Sequence, residues 1–445
     1  MSNQAILRIT RELGEIQKNS DLSLAVACRD VDVRNVKALI VGPPETPYEF
    51  GFFEFSVKFP KEYPGKAPYI NATTTNGGRC RFNPNIYAQG KVCLSILGTW
   101  RGERGEEWSS AQGLESILIS IQSLMSSNPY ENEPGYEHAD SGEDKKNKAH
   151  YVAKIRHENL RIAVIQRLED FLGIHPDGSV DEPPPVEPPF RTEYDSDPED
   201  DSSSTFEPFK DLIKRRFLWY HESYLLSIAE AEKEVAVNQL FVTMPFEGGG
   251  NSMVGKFNYP DLKRRITLIG KVLNQETERW AEEGLVQVRK ETSFAAGLVR
   301  QLELIVETYK KNEMVTLDID FMDKNPFVWL LTYFGRPMTQ LDGGMFRIRI
   351  SISPRFPEEL PRVVFETPIY HHRVSKEGVL CYFPRRPDDI KSHIEAIIEA
   401  IEDESPPYDP RTMVHPEASK LFWGSVDDKK LYNRKLRRAV QRSTE

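Results

Sequence analysis

Cysteine is scarce in this chain and falls without pattern. Cys28, Cys80, Cys93 and Cys381 are the four in 445 residues, and no two form a CxxC pair. That is poor material for a disulfide framework or a zinc site and fits a reducing compartment. No apolar run approaches membrane-spanning length and no signal peptide opens the sequence, so the expectation is a soluble cytosolic or nuclear protein. Positive charge is not in excess. A formal net charge of −10 disfavours a general nucleic-acid binder, which normally shows a basic face. Neither a membrane nor a nucleic-acid partner is expected, and no cofactor or metal. Asn71 heads an Asn-Ala-Thr sequon that matters only in a secreted chain, and it reads as chance. The run Gly248-Gly249-Gly250 lacks the Lys-Ser/Thr ending of a phosphate loop and reads as a turn.

What is present is enough to build cores. Hydrophobic residues make up 39%, and the length suits two or three domains. Ile6, Ile9, Leu13 and Ile16 put one apolar face on a helix over Ala5–Gln17. Phe53, Phe55, Val57 and Phe59 alternate with Glu54, Ser56 and Lys58, the period of a half-buried antiparallel strand. Pro60, Pro64 and Pro68 punctuate the connection that follows. Ile117, Leu118, Ile121, Leu124 and Met125 share a helical face, and a further helix is expected from about Tyr151 to Leu172. Residues 174–205 are acidic and proline-rich and read as a disordered linker, a solvated spacer. Helical patterns return from Phe206 to about Val286.

The pattern then repeats. Helical spacing over Leu298–Tyr309 precedes a second alternating strand, Phe346, Ile348, Ile350 and Ile352. Pro354, Phe356-Pro357 and Pro361 mirror Phe59-Pro60, Tyr63-Pro64 and Pro68. A cysteine follows in each half, 40 residues after Phe53 and 35 after Phe346, and an apolar helical face after each cysteine, Ile394, Ile397, Ile398 and Ile401 in the second. The fold class is therefore α+β, with two copies of one domain, each an antiparallel sheet packed with helices.

The segment Cys80-Arg-Phe-Asn-Pro-Asn85-Ile-Tyr-Ala-Gln-Gly-Lys-Val-Cys93, with Trp108-Ser-Ser-Ala111 after it and Tyr63-Pro-Gly-Lys-Ala-Pro68 before it, resembles the ubiquitin-conjugating enzyme family over about residues 1–172. The family signature is His-Pro-Asn with the catalytic cysteine eight residues after the Asn, and Cys93 keeps that spacing from Asn85. The resemblance implies that Cys93 carries ubiquitin or a ubiquitin-like modifier as a thioester. It also implies an activating enzyme, a ubiquitin ligase and protein substrates as partners. A thiolate accepts the modifier's carbonyl, and the thioester stays reactive toward a lysine amine. Asn85 would donate to the oxyanion, with support of the loop as its rival role. Asn83 stands where the family has His, whose chief task is to support the local backbone. Asn128, before Pro129, stands where an acidic residue is common, and an amide cannot be a base for the incoming lysine. Trp108 reads as a packing residue shaping the ligase-facing loop. Gly65 and Ser110 replace a bulky apolar residue and a proline there, so ordinary RING ligases are expected to stimulate it weakly. Leu94–Trp100, Ser120–Leu124 and Asn128–Glu137 resemble the Z-class conjugating enzymes and the giant inhibitor-of-apoptosis conjugating enzymes. Pro245-Phe-Glu and Phe257–Leu262 resemble the Z-class extension and favour that class.

In the second copy Cys381 keeps the eight-residue spacing, but from Arg373, and Phe383-Pro-Arg-Arg replaces the Trp-Ser-x-Ala segment. Cys381 is a possible second thiol assisted by Arg373, or this domain is a pseudo-enzyme that holds the modifier, a substrate or the first domain. Cys28 and Cys80 read as core residues. Adjacent His371 and His372 would point to opposite faces of an extended segment, which argues against a metal site. The basic stretch Lys429–Arg442 reads as a solvated terminal helix. The expected organisation is a catalytic domain over 1–173, the linker over 174–205, a helical extension over 206–294 and a second, divergent conjugating-type domain over 295–445. The rival readings are a non-catalytic ubiquitin-binding scaffold and an enzyme for a different modifier.

Overall fold

A computed structural model describes residues 3–18, 22–102, 107–183, 185–186, 206–249, 253–311 and 317–445. The core of the linker (residues 187–205) and Gly250-Asn251 of the glycine run lie outside the described residues. The first half begins with helix α1 (Asn3–Lys18), followed by strands β1 (Leu24–Arg29), β2 (Asp32–Val41), β3 (Phe52–Lys58) and β4 (Tyr69–Ala72). Helix α2 (Leu114–Leu124), α3 (Gly142–Glu158) and α4 (Arg167–Leu172) follow, the last two joined through a π-helical stretch, Asn159–Gln166. Two long helices come next, α5 (Lys210–Ala231) and α6 (Tyr259–Arg289). The second half runs α7 (Ser293–Lys310), β5 (Leu317–Phe321), β6 (Val328–Phe334), β7 (Met345–Ser351), β8 (Arg362–Phe365), α8 (Ile390–Glu402), α9 (Pro416–Phe422) and α10 (Val426–Arg442).

The strands form two four-stranded antiparallel meanders, β1-β2-β3-β4 and β5-β6-β7-β8. The α+β class and the duplication follow directly. Chain contacts divide the molecule into two units. One comprises Met1–Phe171, Ser204–Lys210 and Ser227–Ile266; the other comprises Leu172–Ser203, Asp211–Leu226 and Thr267–Glu445.

In the first unit α1 buries Ala5, Ile9, Leu13 and Ile16, while Ile6 is exposed. The buried face runs through Ala5, Ile9, Leu13 and Ile16 at spacings of four and three, so Ile6 beside it faces solvent. Glu12, 7% exposed on the buried side of α1, replaces a local cap for α2. The N-cap residue Gly113 has no side chain to offer, and Glu12 Oε2 accepts the Leu114 N–H at 3.0 Å. The same carboxylate accepts the Tyr63 hydroxyl at 2.7–2.8 Å and pairs with Arg8 at 2.7 Å. A negative charge at a helix N-terminus is favourable, and three donors compensate its burial.

The alternation expected of β3 holds for its buried Phe53, Phe55 and Val57 and its exposed Ser56 and Lys58, and departs from expectation at Glu54. Phe52, Phe53, Glu54 and Phe55 are all buried, and Arg167 of α4 holds the Glu54 carboxylate at 2.7 Å. The helix expected from Tyr151 starts earlier, at Gly142, where Ser141 and Asp144 form a reciprocal capping box.

Residues beyond α5 also build this unit. Met244 and Met253 join its apolar core, and Phe246 packs edge-on to Tyr136 and Tyr151 and tilted on Tyr130. The anchor is Lys154 of α3. Its ammonium is fully buried, 2.7 Å from both Glu247 oxygens and 3.0 Å from Val242 O. Burial pushes the Lys154 ammonium down, and Glu247 opposes this. Removing one member strands the other charge in the interior. Glu247→Ala is expected to lower the stability of this unit by about 3–5 kcal/mol, read from urea denaturation of the full chain. A loss below about 1 kcal/mol would assign the pair only the worth of a surface ion pair.

Candidate active site

Cys93 ends a tight hairpin that leaves β4 and returns beside it. Bridges Asn83↔Ile86 and Ile86↔Val92 close the hairpin, and Asn71↔Lys91 ties it to β4. Gly90 at its tip has φ +94°, and a Cβ there would come within 2.5 Å of Ala72 O, whose own N–H donates to Gly90 O. The position admits glycine alone. The Cys93 N–H donates to Asn85 O at 2.8 Å, and the Asn85 amide donates to Cys93 O at 3.3 Å. Cys93 is a free cysteine, 3% exposed.

The loop hangs on Asn83. Fully buried, its Oδ1 accepts the Asn85 N–H at 2.9 Å and the Asn132 amide at 3.4 Å. Its Nδ2 donates to Leu124 O at 2.8 Å and to the Tyr48 hydroxyl at 3.1 Å. Asn83 thus braces the backbone before Asn85. Asn128 opens the short helical turn Pro129–Asn132, and its Oδ1 is buried without a hydrogen-bond partner among the described residues.

Trp108 donates from Nε1 to Pro64 O at 2.8 Å and lies over Tyr63, with ring centroids 5.9 Å apart. One indole thereby joins the loop after β3 to the loop before α2. Gly65 and Ser110 flank that junction, both exposed.

The geometry also brings in residues that the sequence reading passed over. The Tyr87 phenol belongs to the same hairpin as Cys93 and is an electrostatic neighbour of its thiol. Burial pushes the Tyr87 phenol up, and the charge on an ionised Cys93 adds to this, while Arg81 opposes it. Arg81 lies over the Tyr87 ring, 4.7 Å from its centroid, and pairs with Glu133 at 3.2 Å. Their signal was local: Arg81 and Tyr87 lie inside the quoted motif itself.

The second copy repeats the hairpin with different chemistry. The Cys381 N–H donates to Arg373 O at 2.9 Å, bridges Val374↔Leu380 and Val364↔Val379 match those of the first loop, and Gly378 has φ +86°. Here, however, the thiol is sealed. Cys381 is 0% exposed, beside Arg216 and Tyr220 of α5, with Trp219 packed on Phe383. Burial pushes the thiol up to about 12, although Arg373 and Arg216 pull the other way.

His371 and His372 do not point apart as expected. They occupy a turn, and their rings stack at 4.5 Å and 27°. His372 also stacks on Phe422 at 4.1 Å, and the His371 Nδ1 accepts the Arg373 N–H at 3.1 Å. Burial pushes both imidazoles down, His371 to about 3. Among the described residues no group of three His, Cys, Asp or Glu side chains could hold a metal, and no helix is long and apolar enough to cross a membrane. The basic terminal helix is not solvated all round either. Tyr432, Leu436 and Val440 of α10 are buried in the second core, since these three positions fall at a spacing of four on one face.

A family model described as ubiquitin-conjugating enzyme matches residues 8–159 and again 299–383. Ubiquitin-conjugating enzyme E2 Z of Xenopus tropicalis is 49% identical over 168 residues, 38% of this chain and 52% of that protein. The Homo sapiens protein of the same name is 48% identical over 166 residues, 37% of this chain and 45% of that one. The dual E2 ubiquitin-conjugating enzyme/E3 ubiquitin-protein ligase BIRC6 of Homo sapiens is 40% identical over 155 residues, 34% of this chain and 3% of that protein. The matched stretch spans about half the length of the E2 Z relatives.

A thiol held at about 12 is a thiolate only on the order of once in 10⁴–10⁵ at pH 7.5. Iodoacetamide should therefore leave Cys381 unmodified in the native chain, by peptide mass spectrometry, until denaturant is added. Tyr220→Ala should raise its labelling roughly tenfold or more by opening the cover. Labelling of the native chain at the rate of an exposed thiol would contradict the sealed placement.

Proposed function

This chain belongs to the ubiquitin-conjugating enzyme family, with a Z-class-like first domain and a second, divergent one, and on that footing we propose that Cys93 carries the modifier. The thiolate of Cys93 attacks the thioester that an ATP-dependent activating enzyme forms with ubiquitin or a ubiquitin-like protein. A new C–S bond forms, and the activating enzyme's thiolate leaves. A substrate lysine then attacks the carbonyl, the C–S bond breaks, and an isopeptide bond remains.

The observation that carries this reading is the Asn83–Asn85–Cys93 loop in the first unit. Its backbone fixes the cysteine, and the Asn85 side-chain amide donates to the Cys93 backbone. At 3.3 Å the bond from Asn85 to Cys93 O is long. An oxyanion formed at the thioester is a charged acceptor and would compete for that donor. The amide thus serves the loop at rest and the transition state during transfer. Because Asn128 carries no carboxylate, lysine activation falls to the ligase, the substrate or neighbouring groups. The exposed Gly65 and Ser110 beside Trp108 offer no apolar anchor, which supports weak stimulation by ordinary RING ligases.

The sealed thiol of the second copy favours a regulatory or substrate-binding role for that domain over a second thioester. A chain that binds the modifier without charging, or charges only with another modifier, is the reading the experiment must separate.

The test is thioester formation on non-reducing gels with ubiquitin, other modifiers, ATP and a panel of activating enzymes. A thiol-sensitive adduct is expected for wild type and Cys381→Ala, and none for Cys93→Ala. Asn85→Ala should still load but discharge to lysine about 100-fold more slowly. An adduct that survives Cys93→Ala and disappears in Cys381→Ala would reverse the assignment. No adduct with any modifier would leave the scaffold reading.

A further inference from the structure

Arg81 is an expensive residue to place where it is. It is 5% exposed, and an apolar side chain would fill the space without the desolvation of a guanidinium. Its contacts all lead to the same loop. Nη2 donates to Pro84 O at 2.5 Å, on the residue before Asn85, and to Glu133 Oε2 at 3.2 Å. The flat of the guanidinium lies 4.7 Å from the centre of the Tyr87 ring. Nε has no hydrogen-bond partner among the described residues. A guanidinium used only as a brace for the backbone would need neither the aromatic face nor the carboxylate.

We propose that Arg81 is a positioning residue for the transfer step, setting the Tyr87 ring within the Cys93 hairpin, with Glu133 fixing the guanidinium. This rests on the reading of Cys93 as the thioester carrier. A planar cation suits the task because it stacks on an aromatic face while its edge makes directed bonds. A lysine ammonium at the same place is a point charge without a face. Glu133 lies just past the helical turn Pro129–Asn132, so the pair also joins the hairpin to the segment that follows α2. Burial pushes both the Tyr87 phenol and the Glu133 carboxyl up, and Arg81 opposes this in each.

A structural role and a positioning role differ in which step they affect. Loading needs an accessible thiol, whereas discharge needs the groups around the thioester in register. The test uses the full chain with Arg81→Met, Arg81→Lys, Tyr87→Phe, Glu133→Gln and the Arg81→Met/Tyr87→Phe double variant. Thioester formation on Cys93 and single-turnover discharge to free lysine are measured separately. Arg81→Met is expected to slow discharge about tenfold and to change loading by less than about twofold. Arg81→Lys should not restore the rate. The double variant should discharge no more slowly than Tyr87→Phe alone, because Arg81 acts through that ring. Should Arg81→Met fail to fold, Glu133→Gln keeps the side-chain volume and is expected to slow discharge by a few fold with loading intact.

Discharge at the wild-type rate in Arg81→Met or Glu133→Gln would overturn the proposal. So would effects of Arg81→Met and Tyr87→Phe that multiply in the double variant. Absence of any thioester on wild-type Cys93 would instead fail at the loading step and overturn the reading beneath it.

Discussion

The side chain of Asn83 holds the first active-site loop to the body of its unit through four hydrogen bonds. One end accepts from the backbone of Asn85 and the amide of Asn132; the other donates to Leu124 at the end of α2 and to the Tyr48 hydroxyl. Because the carboxamide is fully buried, each of these bonds is worth more than at the surface, and losing one would leave a polar atom stranded. The position of Asn85, and through its carbonyl the backbone of Cys93, follows from that anchorage. An imidazole at the same place would offer two ring nitrogens. The carboxamide supplies an acceptor and a two-proton donor at fixed separation, which is why it can serve four partners.

The second unit shows what duplication keeps when the chemistry is not kept. Strand order, hairpin hydrogen bonds and the left-handed glycine at the hairpin tip all recur, since these depend on backbone geometry. The side chains that would act on a thioester do not recur. Arg373 takes the place of Asn85, and α5 brings Arg216 and Tyr220 into the electrostatic neighbourhood of Cys381. A guanidinium nearby is not enough to make a thiolate when desolvation is complete, because the loss of solvent acts on the charged form directly.

Much of this was legible in the chain. The two sheets, the repeat and the cysteine motif are written in short-period signals: alternation in Phe53–Phe59 and Phe346–Ile352, helical spacing in Ile394–Ile401, and an eight-residue interval before each cysteine. The start of α3 at Gly142 was missed in favour of Tyr151, although its signal, a Ser-x-x-Asp box from Ser141, is equally local. Glu12 and Lys154 were not legible, because a charged residue is buried only if its partner arrives from elsewhere, and Glu12 meets Leu114 across 102 positions. The His371–His372 pair misled for a related reason. Opposite-facing side chains belong to extended backbone, whereas these rings stack in a turn and His372 meets Phe422 and Tyr432, far along the chain.

The ion pair between Lys154 and Glu247 bears on how the molecule comes into being. A ribosome delivers the chain in order, at roughly 5–20 residues per second, and the first unit draws on Ser227–Ile266 as well as on Met1–Phe171. After the first of these stretches emerges, roughly 5–20 seconds pass before the second has been made. During that interval the cysteine loop and its sheet exist without Met244, Phe246 and Met253, and the ammonium of Lys154 has no carboxylate to meet. The nascent chain therefore passes through a stage with its thiol hairpin complete in sequence and its core open, and closure waits on a segment encoded nearly a hundred codons later.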